Sequence, residues 1–585
     1  MRRLLPPIFE RFTQNLDTRT TTHSFVPDCP TCIEVFSEQC KLPSARLVSN
    51  IFHVDDPLAE DNLATHMVTQ MGQFLDHDIT LTPEEHEDNC CPACFPKCFK
   101  FFTDCFSIEI PNNDPFYSTF NKNCLEFTRS TAFCTAEEAL NGKFVGSWST
   151  NREQINAITA FVDASNVYSS IDGDSGDENQ QDAWDLRMRD GTGKMKVGPN
   201  NLLPKATTIG PEMVAIAGDI RAREMPGLAS MHTIFVREHN RLCDLLALDS
   251  RTNGWGDEAF YQNVRRIVIA EMQNVVYGEY LPMILGSQSM QDNGLNLQTN
   301  SAYDETKDPS ISNSFATAAF RFGHSMIQGI INMANIANGN FVRNYPLNEN
   351  FFNLDNYELN NGQGMEEIVM GLITQPAQKN DKFVTSEVTN KLFPEDNQPF
   401  GSDLVARNIQ RGRDHSLPGY VEFWKAFGKQ SGDPNDITCW SHKPSAMSQN
   451  NWDKLRDLYR DPRQIDLFVG GLAEIPLPIN GFNIRSVTGP TFNKMIAKQF
   501  KALKDGDRYF FTHENQASSF SINGQATIQD RKLADIICDN TNLQQAPDNV
   551  FRVVDVTNPF KQCSQAQQLD LNQINLFQLD NPVGL

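Results

Sequence analysis

The feature that most limits how this chain can fold is a four-residue recurrence of apolar side chains. Leu63, Met67, Met71 and Leu75 repeat at that spacing, with Phe74 widening the stripe. Such a period lines one face of a helix, not of a strand. Asp61 or Asn62 is the expected cap, and the helix is expected to end near Asp78. The same periodicity predicts helices over 231–246, 258–277 and 490–503, whereas strand-like alternation is sparse. The expected fold class is mainly α with few short strands. No repeat, low-complexity tract or composition shift divides the 585 residues, so a single large helical domain is the simplest organisation. Gly-, Asn- and Asp-rich stretches at 171–181 and 346–363 read as surface insertions.

Fourteen cysteines is an even count, and Cys90, Cys91, Cys94, Cys98, Cys105, Cys124 and Cys134 crowd into one segment. That suits a disulfide-stapled excursion in an oxidising compartment: a secreted or extracellular protein, or one of a granule or vesicle lumen. Cys29-x-x-Cys32 and Cys91-x-x-Cys94 have the local spacing of a zinc ribbon. About 58 residues separate the pairs, however, where roughly 15–20 is usual, and disulfides are the favoured reading. The basic start MRRLL meets Pro6 and Pro7 before a signal core of apolar residues forms. A net charge of −23 argues against a nucleic-acid partner, which needs clustered Lys and Arg. The most apolar run, 267–285, is interrupted by Glu271, Gln273 and Glu279, so no transmembrane segment is expected.

Four constellations carry chemistry. Gln73 shares a helical face with His77, while Asp76, His77 and Asp78 must point three ways, since successive residues turn by about 100°; alone they read equally as a polar helix end. In TAFVDAS, Thr159, Asp163 and Ser165 offer side-chain oxygens and Phe161 a carbonyl, a set that a hard cation such as calcium accepts, although a plain turn has the same spelling. Arg221, Glu224 and Met225 share a face if their segment is helical; the bland alternative is a solvent-facing salt bridge with Met as packing. Arg321 and His324 share a face of an apolar segment, and Asn408 and Arg411 follow in ARNIQRGRDHSLPGY. A buried His needs a hydrogen-bond partner or a metal, and a satisfied core histidine is the ordinary case.

Taken together, MGQFLDHDITLTP, REQINAITAFVDASNVY, AGDIRAREM, SMHTIFVREHNRL, AFRFGHSMIQ, NIQRGRDHSLPGY and LKDGDRYFF, in this order, resemble the animal haem peroxidase superfamily from about Leu42 to Cys563. The resemblance implies a peroxidase domain at 46–585, preceded by an N-terminal segment at 1–45 that starts inside the family's own N-terminal part. It implies haem b, with His77 as distal base, Arg221 pairing with peroxide and Gln73 lining the distal cavity. His324 would be the iron ligand, with Asn408 accepting a hydrogen bond from its other ring nitrogen. Arg321 and Arg411 would neutralise the propionates. Asp76 and Glu224 would be esterified to haem, and Met225, as in some members, would be joined to it as a sulfonium. Asp78, Thr159, Phe161, Asp163 and Ser165 would hold Ca2+.

The expected reaction is reduction of hydrogen peroxide with oxidation of halide, thiocyanate or phenolic donors, in settings such as the response to oxidative stress. Alternatives are an extracellular tyrosine-crosslinking peroxidase and an adhesion protein with vestigial haem. A fatty-acid dioxygenase of the same superfamily is disfavoured by the spelling around His324. Ser416 stands where relatives carry Gly. Neither oligomeric state nor disulfide pairing is legible.

Overall fold

The computed structural model describes residues 42–84, 90–91, 104–131, 153–170, 186–206, 214–395, 398–476 and 486–577. Within these, helices dominate and the strands form two-stranded ribbons only, as the periodicity predicts. The segments 1–41 and 171–181, and Cys29, Cys32, Cys94, Cys98 and Cys134, lie outside the described residues.

Helix α1 (Ala45–Phe52) opens the described chain and is capped by Ser44, whose side chain accepts from Arg46 N at 3.2 Å. Strand β1 (Glu60–Thr65) leads directly into α2 (His66–Ile79). Here the expected cap is corrected. Asp61 accepts from the amides of Leu63 and Ala64 at 2.7 and 2.9 Å within β1, where the pairing register shifts, and the helix starts after Thr65. The cause is strand β4 (Pro376–Gln378), which pairs antiparallel with β1 and holds that stretch extended. Asp61 therefore makes a local turn of the kind its short side chain favours, not a cap.

Short α3 (Ser165–Tyr168) packs against α2. The 22-residue α4 (Pro226–Ala247) starts with Pro at its first turn and buries Leu228, Met231, Phe235, Leu242 and Leu246. It packs on α2 and on α5 (Asp257–Val275), which continues through a π turn at Val276–Tyr280. A 3-10 turn at Ala319–Met326 follows. Strands β2 (Ile330–Ala334) and β3 (Phe341–Pro346) form an antiparallel ribbon. The 346–363 stretch is mostly exposed or half-buried, holds short helical turns at Leu347–Asn350 and Asp355–Glu358, and is anchored by buried Leu347 and Tyr357. Helix α6 (Gln363–Thr374) lies against β2, and after β4 comes α7 (Leu404–Asp414). Helix α8 (Pro490–Asp505) completes the set that periodicity predicts, and α9 (Leu533–Asn540) packs on α4.

Two buried arginines tie distant segments together. Arg46 donates to Asp114 and Asp403 at 2.7 Å each, and Asp403 also caps α7 through Ala406 N at 2.9 Å. Arg531 reaches Glu238, Glu271 and Asp539 at 3.0, 3.1 and 2.7 Å. Pairing keeps the burial of these ions tolerable; the first cluster ties α1 to the start of α7, and the second joins α4, α5 and α9. Disulfides join Cys90 to Cys105, Cys91 to Cys124 and Cys538 to Cys563. Cys91 is thereby committed to a disulfide, not to zinc. Cys243 is a buried free thiol, so the even cysteine count does not mean that every cysteine pairs.

Candidate active site

A cavity of about 390 Å³ opens where α2, the 319–326 turn and α7 meet. Gln73, Asp76 and His77 reach it from α2; Arg221, Glu224 and Met225 from the turn before α4; Arg321 and His324 from the 3-10 turn; Asn408 and Arg411 from α7. The ten sequence-predicted residues of three constellations thus share one space. A 3-10 turn eclipses positions three apart, which brings Arg321 and His324 to the same wall.

On the His77 side, Arg221 donates from Nε to Asp219 Oδ1 at 2.9 Å and from Nη2 to Asp219 Oδ2 at 2.8 Å. Nη2 also reaches the carbonyls of Thr80 (3.1 Å) and His77 (3.4 Å). The expectation of a helical face at 221–225 is corrected: these residues form turns, Glu224 N bonding Arg221 O at 2.9 Å, and Met225 is the extended residue preceding α4. Pro226 dictates this, since it starts the helix and disfavours helical geometry in the residue before it. Gln73 donates to Glu224 Oε2 at 2.9 Å and accepts from Gln70 at 3.1 Å. Burial pushes Glu224 up to about 7 against the pull of Arg221, and raises Asp76 likewise. Burial, reinforced by Arg221, holds His77 well below the usual histidine range.

On the other side, Asn408 Nδ2 lies 2.7 Å from His324 Nδ1, while Asn408 Oδ1 accepts from Arg321 Nη1 at 2.9 Å. Asn408 and His324 are thus neighbours at Nδ1, with the amide nitrogen rather than the oxygen toward the ring; for Nδ1 to donate, as an iron ligand at Nε2 requires, the amide must turn over. Arg321 is the cause, because a guanidinium donor requires the oxygen on its own side. Burial, with Arg321 adding to it, lowers His324 to about 3. Arg411 is engaged by Thr128 O, Ser130 Oγ, Asp414 and Glu84, so its guanidinium is already partnered here.

Away from the cavity, Asp78 and the 159–166 loop come together. Ser165 Oγ donates to Asp78 Oδ1 at 2.9 Å, Thr159 Oγ1 to Asp163 Oδ1 at 3.0 Å, and the amides of Ala164 and Asn166 to the Asp78 carboxylate. Ala164 holds the loop at a φ of 56°. Burial raises both Asp78 and Asp163, and for Asp78 the facing Asp163 adds to it. Two acids pressed together in this way fit a cation that would reverse that repulsion. Phe161 sits in the bend between them, half-buried. Among the described residues no group of three or more His, Cys, Asp or Glu is placed to hold a metal, so a cation here would rest on two carboxylates, hydroxyls and backbone oxygens.

The donor set around the cavity fits haem. Two histidines held neutral each keep one nitrogen lone pair, two half-buried carboxyls stand at its wall, and an added Cβ at Gly323, beside His324, would meet no atom within 4 Å. Sequence reasoning missed Asp219, whose signal was the Asp-x-Arg spacing: Asp219 Oδ1 also accepts Arg221 N at 2.8 Å, a local turn. It also missed Arg407, which lines the cavity beside Glu84, and Tyr280, whose hydroxyl stands 2.7 Å from where a Cβ on Gly72 would be.

The model of a family described as animal haem peroxidase matches residues 1–551. The chain is 33% identical to thyroid peroxidase of Sus scrofa over 91% of its own length and 57% of that protein's. It is 35% identical to myeloperoxidase of Mus musculus, covering 91% and 72%, and 31% identical to peroxidasin of Drosophila melanogaster, covering 98% and 36%. The chain therefore spans a little over half of the thyroid enzyme. Peroxidase A from Dictyostelium discoideum shares the fold, with a TM-score of 0.69 at 24% identity over 94% of this chain and 95% of that one.

Proposed function

The chain belongs to the animal haem peroxidase family, and from that premise we propose that it reduces hydrogen peroxide and oxidises halide, thiocyanate or phenolic donors, with residues 46–585 as the catalytic domain. The observation that carries this reading is the convergence of His77, Arg221, His324 and Asn408 on one cavity. His324 would hold the iron, with Arg321 and Arg411 toward the propionates and Asp76, Glu224 and Met225 linked to the macrocycle. Asp78, Thr159, Phe161, Asp163 and Ser165 would hold Ca2+. When bound, haem supplies a site for the peroxide oxygen and a store for two oxidising equivalents.

The protein's own part is proton handling. His77, neutral because it is buried, takes a proton from one peroxide oxygen and returns it to the other. The Arg221 guanidinium offers positive charge where the leaving oxygen becomes negative, held in place beforehand by Asp219. Gln73, anchored on Glu224, lines the same side and can hydrogen-bond a water or a halide.

An absorption spectrum of the purified protein tests the reading, before and after peroxide, with each halide in turn. A Soret band that changes with peroxide and returns with a donor is expected; absence of haem binding overturns it. Met225 supports halide oxidation specifically, since a positively charged sulfur link would withdraw electrons from haem. Met225→Thr is expected to shift the Soret band and the halide preference together. The disulfides are in keeping with secretion, and no helix among the described residues is long and apolar enough to cross a membrane.

A further inference from the structure

We propose that Asp219 is the positioning residue of the peroxide side: one carboxylate that fixes the plane of the Arg221 guanidinium and biases the His77 ring toward carrying its proton on Nδ1. The proposal rests on the peroxidase reading above and deepens it.

Both oxygens of Asp219 are used on Arg221. Oδ1 takes Arg221 N (2.8 Å) and Nε (2.9 Å), and Oδ2 takes Nη2 (2.8 Å). A carboxylate binding a guanidinium by two parallel bonds sets its orientation as well as its distance. Because Nη2 is also held by the Thr80 and His77 carbonyls, the arginine is indexed to the end of α2. Nη1 has no hydrogen bond among the described residues, so one face of the guanidinium is kept for another partner.

His77 Nδ1 is buried and makes no hydrogen bond, and Asp219 Oδ1 lies 3.7 Å from it. That separation is too long for a hydrogen bond, yet in a buried site a negative oxygen facing one ring nitrogen favours the tautomer with hydrogen there. The other nitrogen, Nε2, then keeps the lone pair that a base requires. The groups around Asp219 are Arg221, His77, Glu224, Asp76 and His232. Asp219 is the carboxyl of this set that stays ionised: although burial opposes it, Arg221, bonded to both of its oxygens, holds it well below the usual range. Asp76 and Glu224 are pushed the other way, so the bias on the ring comes from Asp219.

The test uses the haem-loaded full chain carrying Asp219→Asn, which keeps size and one acceptor but no charge, and Asp219→Glu, which keeps charge on a longer arm. Three quantities are read: haem per protein, the second-order rate with peroxide, and the dissociation constant for cyanide followed by the Soret shift without turnover. Asp219→Asn is expected to retain haem while its peroxide rate falls on the order of 10²-fold and its cyanide affinity falls with it, because hydrogen cyanide must also give up a proton to bind. Asp219→Glu should fall between that variant and the parent, a graded recovery that a simple loop anchor would not produce. Parent-like peroxide rate and cyanide affinity in Asp219→Asn overturn the proposal; if that variant does not fold, the same equality in Asp219→Glu does so. A parent chain that binds no haem instead defeats the peroxidase reading, and this proposal with it.

Discussion

On one side of the cavity His324 is gripped through Nδ1 by Asn408 at 2.7 Å, whereas on the other His77 has a buried Nδ1 with no hydrogen bond, facing Asp219 at 3.7 Å. The contrast continues in the backbone. His77 rides on the 14-residue α2, while His324 sits on a 3-10 turn steadied from outside by α7. A ring that must stay on a metal is served by a fixed bond; a ring that must gain and lose a proton is served by a field that does not tie it down.

The comparison breaks most completely at His324. Its replacement in His324→Ala is expected to abolish haem retention, seen as loss of Soret absorbance per protein. His77→Ala should keep haem and slow the reaction with peroxide by roughly 10²–10⁴-fold in stopped-flow mixing; a parent-like rate would contradict the role of the base. Asn408→Ala, which removes the grip but not the ligand, should cost about 10–100-fold in haem affinity or activity, and a cost equal to that of His324→Ala would show that the grip and the ligand are not separable.

The dependence of stability on pH sharpens the same comparison in the haem-free chain. Glu224 is raised to about 7, so the folded state holds a proton that the unfolded state releases near 4.5; stability from this group is present below about 4.5 and lost as pH rises through 7. His324 is lowered to about 3, so its contribution is present above 6.5 and lost as pH falls toward 3. Denaturation curves across pH should therefore lose part of the fall in stability between about 4.5 and 7 in Glu224→Gln, and part of the rise between about 3 and 6.5 in His324→Ala. The smallest effect lies beyond α7, where Ser416 adopts a φ of 53°. Ser416→Gly should stabilise by about 0.5 kcal/mol, the relief of left-handed strain offset in part by a more flexible unfolded chain, as read from the urea midpoint.

The long helices were legible because their apolar stripes repeat over several turns, as in α2 and α8. The start of α2 was not, because Asp61 spells a cap but is held in a strand by a segment more than three hundred residues away. Among the site residues, the shared face of Arg321 and His324 could be read from spacing, and their position with His77 only from the ordered strings of the whole chain. The orientation of Asn408 depends on Arg321 reaching it through space, which no local pattern encodes. Asp219 was hidden differently: its spacing to Arg221 was visible, but its nearness to His77 was not.

Asp76, His77 and Asp78 are consecutive, yet Asp76 and His77 border the cavity and Asp78 belongs to the 159–166 loop. Insertion or loss of one residue upstream within α2 would turn all three by about 100° and assign each to its neighbour's surroundings. A substitution in that helix can damage one function and leave the others; a change in its length cannot. Comparing many descendants of this chain, α2 should thus be a stretch that varies in spelling while keeping its count of residues.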